Sequence, residues 1–328
     1  MAATNARVPP EKPLNAVILA TPDAVAAGLV AGWLRKGHRV ERIYLSRHGS
    51  SESRMSRDRQ LGSYCPNISL HAQARRAGIV LTYIDDPASW DGFLRQCRES
   101  RPDVVLSFLF MLRIPARVLS ALACPVLNFH PALLPAYRGA SPFTSMVMDG
   151  AVEECAGMTL HVVTPDFDTG DIVAQVPVAF AGRENYGAFL HALIEKGASL
   201  LTQQVLAYIR GEVSARAQEP PSRDRLCYPK SVFLLTSALP ANLIRQRVDA
   251  VGLFQQFKIE RLDKGIGVDR FLCSLGPLTG QPPRERWRSV DMDAADQRVR
   301  LRKSTYLRRY LNRLRETRQL ARLQRQAV

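Results

Sequence analysis

The stretch Val126-Leu-Asn-Phe-His-Pro-Ala-Leu-Leu-Pro-Ala-Tyr-Arg-Gly139 decides the fold, because it begins as a buried strand and breaks at Pro131. Side chains alternate between the two faces of a strand, so Asn128 and His130 point to the same side. A residue before proline favours extended geometry, which fits His130 as the last residue of the strand. Since ligands bind at the carboxyl ends of strands in open α/β sheets, this stretch predicts a polar site there.

A second polar segment follows further along the chain. Residues 157–163 alternate between polar and apolar side chains, which predicts a strand, and residues 172–178 predict a returning strand. The acid-rich loop 164–171 between them places Asp168 in a tight turn. Considered alone, a lone histidine such as His130 is more typical of a core, and a lone aspartate is more typical of a turn.

Together the two segments resemble the 10-formyltetrahydrofolate-dependent formyltransferases, which include methionyl-tRNA, glycinamide ribonucleotide and amino-sugar formyltransferases. The chain carries Asn-Phe-His-Pro-Ala-Leu-Leu-Pro and then Asp-Thr-Gly, with Asp168 lying 168 − 130 = 38 residues after His130. The resemblance covers residues 14–211 and not the C-terminal third. It implies that Asn128, His130 and Asp168 are catalytic.

The resemblance also implies the ligands. It predicts 10-formyltetrahydrofolate as co-substrate and an amine as acceptor, with Tyr137 and Arg138 binding the substrate. Arg138 is equally compatible with holding a phosphate or pairing with an acid. The predicted folate-binding residues follow two strands and are Phe110, Met111, Leu112, Ile114, Val163 and Thr164. From the residues alone, a folate-binding wall and an ordinary buried strand-to-helix junction are equally compatible with the segment 110–115.

The predicted chemistry needs hydrogen-bond donors and a proton relay. An amine attacks the formyl carbon, and donors aimed at the resulting oxyanion stabilise it. We expect Asn128 and His130 to supply those donors, and Asp168 to relay protons or to keep His130 protonated. We expect no metal, because His161 lacks the further ligands that zinc requires.

Composition bounds the class of protein. Of the 328 residues 46% are apolar and 23% charged, as in globular proteins. No apolar run approaches the roughly 18 residues needed to span a bilayer. The N-terminus lacks a signal-peptide pattern, and the six cysteines have no metal-binding spacing. We therefore expect a cytoplasmic protein with free thiols, for which a homo-oligomer is compatible with the sequence.

The order of predicted elements defines the fold class. A β-α-β start predicts an α/β fold with a doubly wound, mainly parallel sheet, and the first turn, Thr-Pro-Asp, does not support nicotinamide binding. Residues 46–63 are predicted to form a surface loop. The predicted organisation is a disordered lead (1–13), a catalytic domain (14–211), a linker (212–230) and a mostly helical C-terminal region (231–328) that ends in a basic amphipathic helix over 298–326.

The net charge of +15 is concentrated near the C-terminus, where residues 298–328 carry ten arginines, one lysine and one glutamate. Two hypotheses compete for this tail: its leucines dock it on the protein, which we favour, or its arginines bind nucleic acid.

The sequence does not identify the acceptor amine. We favour a small amine of natural-product, siderophore or nucleotide-sugar metabolism. Methionyl-tRNA is the alternative, although the regularly spaced strands of that enzyme's C-terminal β-barrel are not evident here. Two other classes are a 10-formyltetrahydrofolate hydrolase, which usually carries an N-terminal module that 13 leading residues cannot supply, and an inactive scaffold with a nucleic-acid-binding tail.

Overall fold

The computed structural model describes most of the chain as two compact units. The described residues are 12–46, 51–180, 186–220, 227–228, 233–251, 257–262, 267–304 and 306–326. The first unit comprises Met1–His130, Leu160–Gln175 and Ile194–Ala217, and the second comprises Pro131–Thr159, Val176–Leu193 and Gln218–Val328. The predicted catalytic domain, 14–211, therefore contributes residues to both units. Within the described ranges, no helix is long and apolar enough to cross a membrane.

Seven strands form the larger sheet. They are β1 (Asn15–Ala20), β2 (Arg39–Ser46), β3 (Val80–Ile84), β4 (Val104–Phe108), β5 (Val126–His130), β6 (Gly157–Val162) and β7 (Ile172–Pro177). Their order is β3-β2-β1-β4-β5-β6-β7, and β1 to β5 pair in parallel. The strand order reverses between β1 and β4, which confirms the predicted doubly wound, mainly parallel sheet.

Eight α-helices accompany these strands in the described residues. They are α1 (Ala24–Arg35), α2 (Ser51–Tyr64), α3 (Leu70–Arg76), α4 (Ser89–Ser100), α5 (Ala116–Ala121), α6 (Pro142–Asp149), α7 (Val152–Cys155) and α8 (Tyr186–Ile209). Helix α1 begins after Asp23, whose carboxylate accepts a hydrogen bond from the Val25 amide at 2.8 Å. A Cβ added at Gly28 would lie 2.4 Å from the Ile194 side chain, so only glycine permits the close packing of α1 on α8.

Helix α2 corrects the part of the predicted surface loop that covers residues 51–63, while residues 47–50 lie outside the described residues. The side chain of Asp58 in α2 is buried, and its carboxylate accepts hydrogen bonds from the backbone amides of Leu70 and His71, both at 2.9 Å. These amides belong to the first turn of α3, where a carboxylate satisfies donors that lack intrahelical partners. The buried face of α2 includes this charged residue beside the buried Met55, so the sequence does not show a clear apolar stripe.

The second unit contains a six-stranded sheet that the sequence did not predict. Its strands are β8 (Leu234–Leu235), β9 (Phe257–Ile259), β10 (Gly267–Gly276), β11 (Arg284–Glu285), β12 (Ser289–Asp293) and β13 (Arg298–Lys303), in the order β11-β12-β13-β10-β9-β8. The same region contains the helices α9 (Ala241–Val251) and α10 (Tyr306–Gln326). The helices agree with the predicted helical C-terminal region, but the basic helix begins at Tyr306, and residues 298–303 form a strand instead.

Paired charges explain why β13 was mistaken for a helix. Val299 and Leu301 are buried in the apolar core of the second unit, and arginines occupy the alternate positions. Each arginine pairs with an aspartate: Arg298 with Asp293 (2.8 Å), Arg300 with Asp291 (2.6 Å) and Arg302 with Asp269 (2.7 Å). The aspartates that neutralise these arginines lie on neighbouring strands. Without those strands, the sequence of β13 has the composition of a basic helix.

Candidate functional site

The three predicted catalytic residues lie together in the first unit, at the carboxyl end of β5. The Asp168 carboxylate is their common partner. Its Oδ2 lies 3.3 Å from Nδ1 of His130, and its Oδ1 accepts a hydrogen bond from Nδ2 of Asn128 at 3.1 Å. His130 and Asp168 are buried, with 4% and 9% of their surfaces exposed. The sequence prediction that these residues converge therefore agrees with the geometry, while their catalytic roles stay predictions.

A fourth polar side chain, His161, belongs to the same cluster and was not predicted from the sequence to lie there. The Val163 amide donates to the Val126 carbonyl oxygen at 2.9 Å, which places the end of β6 beside the start of β5. His161 then stands opposite Asn128, and its Nε2 lies 3.0 Å from Asn128 Nδ2 and 3.4 Å from Asp168 Oδ1. The alternation of polar and apolar residues along β6 could have indicated His161. It does so only if β6 is assumed to pair antiparallel with β5.

Hydrogen bonding assigns the protons of His161. Its Nδ1 lies 2.8 Å from the carbonyl oxygen of Val162, which can only accept, so Nδ1 carries the proton. Its Nε2 then accepts from the Asn128 amide, and His161 is neutral. The opposite orientation of the Asn128 amide would bring its oxygen against the Asp168 carboxylate, so the amide nitrogen must face that carboxylate.

The backbone of the Asp168 loop is held in an uncommon conformation. Asp168 has φ 56°, in the left-handed region that aspartate tolerates better than most residues. Two residues later, a Cβ added at Gly170 would lie 1.9 Å from the Val162 carbonyl oxygen. The loop must therefore have glycine at this position to fold back against β6. The glycine of the Asp-Thr-Gly sequence is therefore required by this geometry, and aspartate is compatible with it.

The predicted folate-binding residues divide into buried and exposed side chains. Phe110 and Ile114 are buried, and they pack with the partly buried Leu112 and Val163 in one apolar cluster of the first unit. Met111 is 39% exposed. Most of this segment is therefore a packed strand-to-helix junction, and Met111 is the member whose side chain is available to a ligand.

The loop after β4 also contacts the Asp168 loop. The guanidinium of Arg113 lies over the ring of Phe167 at 5.4 Å, and its Nη1 is 3.5 Å from Oδ1 of Asp166. Phe167 is 40% exposed. Thr164, another predicted folate-binding residue, donates its hydroxyl to the Asp166 carbonyl oxygen at 3.0 Å. The two loops thus place exposed apolar surface beside the Asp168 carboxylate.

Tyr137 and Arg138, the predicted substrate-binding residues, belong to the second unit. Tyr137 is fully buried and donates its hydroxyl to Oδ2 of Asp149 at 2.8 Å. Arg138 donates from Nε and Nη2 to Oε1 of Gln218 at 3.1 and 2.7 Å. Oδ1 of Asp149 also accepts from Tyr228 at 2.6 Å, which raises the pKa of that phenol. Arg138 has a neutral glutamine beside it, so its charge is not cancelled by that partner.

All six cysteines are free thiols, as the sequence predicts. Among the described residues no cluster of histidine, cysteine and acidic side chains is arranged to hold a metal ion. A reaction without metal stays an expectation.

The site lies in a segment that is similar to a known family. The formyl transferase family model matches residues 82–205, which contain the whole polar cluster. Methionyl-tRNA formyltransferase of Syntrophomonas wolfei is 28% identical over 160 residues, covering 48% of this chain and 50% of that protein. The enzyme of the same name from Bacillus cytotoxicus is 33% identical over 118 residues, covering 36% and 37%. The match therefore spans half or less of these formyltransferases.

Two solved structures share the fold. HypX from Aquifex aeolicus, crystallised in complex with tetrahydrofolic acid, aligns with a TM-score of 0.54 at 15% identity, covering 88% of this chain and 44% of that protein. WlaRD, a sugar 3N-formyl transferase crystallised in the presence of dTDP and 5-N-formyl-THF, gives a TM-score of 0.54 at 14% identity and covers 89% and 98%. At these identities the likeness establishes the fold alone.

Proposed function

We propose that this protein transfers the formyl group of 10-formyltetrahydrofolate to an amine, and that Asn128, His130 and Asp168 assist the transfer. The observation that carries the proposal is the Asp168 carboxylate, held between Nδ1 of His130 at 3.3 Å and Nδ2 of Asn128 at 3.1 Å. It lies at the carboxyl end of a central strand, within the segment that matches the formyl transferase family.

His130 and Asp168 support the proton transfers. A proton on Nδ1 of His130 directs that nitrogen to Asp168 and leaves the ring's Nε2 to exchange protons with the reactants. The attacking amine must lose a proton, and the folate nitrogen must gain one before it leaves. A histidine oriented by a buried carboxylate is suited to both steps, and such general acid–base catalysis contributes about 10²–10⁴-fold.

Asn128 has a different part in this arrangement from the one predicted from sequence. Both hydrogens of its amide nitrogen point to protein acceptors, Oδ1 of Asp168 and Nε2 of His161. It therefore orients Asp168 in this state. Asn128 can donate to a developing oxyanion only after one of these two bonds opens, and the bond to neutral His161 is the weaker of the two because it is not charge-assisted.

The co-substrate suits the surroundings of the cluster. Met111 and Phe167, at 39% and 40% exposed, offer apolar surface for a planar ring system on the two loops beside Asp168. Leu109 has φ 55°, an uncommon conformation for leucine that turns the backbone sharply after β4. HypX was crystallised with tetrahydrofolic acid, and WlaRD in the presence of a formyl folate, which supports a folate here.

For the acceptor, the comparisons support two classes. The curated relatives are named for methionyl-tRNA, and a structural neighbour is named a sugar 3N-formyl transferase. From the sequence, tRNA was disfavoured as the acceptor because no regularly spaced C-terminal strands were evident. The structure contains the strands β8–β13 there, so this objection no longer holds. We retain a small amine as first candidate, because WlaRD matches 89% of this chain, including much of the C-terminal region.

The deciding experiment mixes the protein with 10-formyltetrahydrofolate, alone and with methionyl-tRNA or a panel of amines that includes nucleotide-linked amino sugars. Tetrahydrofolate released only when an amine is present supports formyl transfer and names the acceptor class. Release without any amine would indicate a hydrolase instead. No release under any condition, with folded protein, would favour an inactive scaffold.

A further inference from the structure

The amide nitrogen of Asn128 is held by two acceptors of the first unit. Nδ2 lies 3.1 Å from Oδ1 of Asp168 and 3.0 Å from Nε2 of His161. The bond between Nδ1 of His161 and the Val162 carbonyl oxygen, at 2.8 Å, fixes the proton on Nδ1, so Nε2 accepts and does not donate. Both hydrogens of the Asn128 amide are therefore used inside the protein.

The carbonyl oxygen of Asn128 is the end of the amide that remains for a reactant. Among the residues that the structure describes, none donates a hydrogen bond to this oxygen. The oxygen is not enclosed, because the buried side-chain atoms without a partner do not include it, and Asn128 is only partly buried. Since a carbonyl oxygen can only accept, the group that meets it must carry a donor.

His161 lies behind Asn128 and is only 1% exposed. Its Nε2 is 3.4 Å from Oδ1 of Asp168, and both of these atoms are acceptors. The Asn128 nitrogen is bonded to both and therefore joins them. Turning the amide by half a rotation would bring its oxygen against two acceptors instead of one, so His161 doubles the preference that Asp168 alone imposes.

Building on the proposed formyl transfer, we propose that Asn128 accepts a hydrogen bond from the attacking amine through Oδ1, and that His161 is the positioning residue that keeps this oxygen turned to the amine. An amine offers N–H donors, whereas a formyl oxygen needs them. An amine that has lost one proton still donates an N–H to Oδ1 while its lone pair forms the new bond to the formyl carbon. The contact therefore orients the nucleophile.

The alternative is that the amide nitrogen of Asn128 donates to the oxyanion, as predicted from the sequence. That role requires Nδ2 to leave His161 or Asp168 during the reaction. The two roles differ in what they do to the kinetics. An acceptor for the amine acts already when the amine binds and affects KM, whereas an oxyanion donor acts in the transition state and affects kcat.

The test compares two substitutions of similar size, His161→Gln and His161→Met. Glutamine carries an oxygen that can accept from Asn128, whereas the methionine thioether is only a weak acceptor. KM and kcat are measured at saturating 10-formyltetrahydrofolate, with the amine of the panel that the parent formylates fastest. Because a hydrogen bond from a charged amine contributes about tenfold or more in affinity, we expect His161→Met to raise the amine KM at least about tenfold. We expect His161→Gln to keep that KM within about threefold of the parent.

Calorimetric titration with 5-formyltetrahydrofolate and melting temperatures show whether either variant is misfolded. Equal changes of the amine KM in the two variants would attribute the effect to packing and overturn the proposal. A changed kcat with an unchanged amine KM in His161→Met would return Asn128 to the oxyanion. A folded parent that formylates no amine would instead refute the proposed transfer itself.

A measurement that needs no activity tests the orientation directly. NMR of the ring nitrogens in protein labelled with ¹⁵N-histidine reports which nitrogen carries the proton, and the His161 signals are those missing from His161→Gln. We expect a neutral ring with its proton on Nδ1. A proton on Nε2 would face the hydrogens of the Asn128 amide, and this result would overturn the proposal even if His161→Met lost activity.

Discussion

Replacing Asp168 with asparagine tests the proposed chemistry with little change of shape. Asparagine also tolerates the left-handed backbone at φ 56°, whereas alanine there would add about 1 kcal/mol of strain. The change removes the negative charge and converts one oxygen acceptor into an N–H donor. It therefore alters the cluster while leaving the loop free to fold.

The magnitude follows from the two contacts of the carboxylate. Asn128 Nδ2 at 3.1 Å and His130 Nδ1 at 3.3 Å are donors, and an amide can accept from only one of them with its single oxygen. The other contact becomes donor against donor, and the charge-assisted bond that is lost contributes about 1.5–3 kcal/mol. If His130 responds by moving its proton to Nε2, the wrong tautomer is present, a change that costs about 10⁴ in kcat in a triad with the same logic. We expect turnover to fall between 10²- and 10⁴-fold.

The assay follows tetrahydrofolate release with the acceptor that the amine panel identifies. Calorimetric titration with 5-formyltetrahydrofolate, which carries the formyl group on another nitrogen, measures folate binding separately. The matched control is Asp166→Asn, two residues earlier in the same loop. Asp166 is 72% exposed on its side chain, and its pair with Arg113 is worth less than about 1 kcal/mol. We expect the control to keep at least half of the parent's turnover.

Three results would refute the reasoning. Turnover within a factor of three of the parent for Asp168→Asn would remove the carboxylate from the chemistry. Equal losses in the Asp166 and Asp168 variants would point to the loop rather than to the charge. A loss of folate binding as large as the loss of turnover would make Asp168 a binding residue rather than a group that acts on the transition state.

The remaining predictions concern geometry and charge. Gly170→Ala should lower turnover at least tenfold and reduce the melting temperature, because the new Cβ would lie 1.9 Å from the Val162 carbonyl oxygen. Burial raises the pKa of Glu316 from 4.5 to about 7, so the folded state binds more protons between these values and stability falls as pH rises through that window. Glu316→Gln should remove this fall, worth up to about 3 kcal/mol, in urea titrations at pH values on either side. The hydrogen bond from Arg300 lowers the pKa of Asp291 from 3.8 to about 2, so its contribution is present above 3.8 and disappears as pH falls through 2. Asp291→Asn should therefore cost about 2 kcal/mol at neutral pH in denaturant titrations.

The first five strands of the large sheet could be predicted because short apolar runs and their turn residues lie next to one another in sequence. The end of β5 at His130 follows from the proline after it, and the start of α1 follows from Asp23. Helix α2 could not be predicted in this way. Its buried carboxylate, Asp58, acts on the first turn of α3, and this contact is visible only when both helices are in place.

In the polar cluster, too, only the features that depend on residues close in sequence could be predicted. Asn128 and His130 share a face because they are two residues apart on a strand, and Gly170 is required by the turn that presents Asp168. The place of His161 depends on which strand pairs with β5. The orientation of the Asn128 amide depends on having a carboxylate on one side and a neutral imidazole on the other. Neither is set by neighbours in sequence.

The same distinction explains why the proposed reaction is better defined than its acceptor. Formyl transfer needs a few groups whose spacing along the chain already fixes their geometry, Asn-x-His on a strand and Asp-x-Gly in a turn. The positions of the predicted substrate-binding residues do not follow from their spacing along the chain. Arg138 meets Gln218 across 80 positions of sequence, and Tyr137 meets Tyr228 only through their shared partner Asp149. A surface assembled from distant segments can change its shape and charge while both motifs stay intact, so the motifs support the proposed chemistry and leave the amine open.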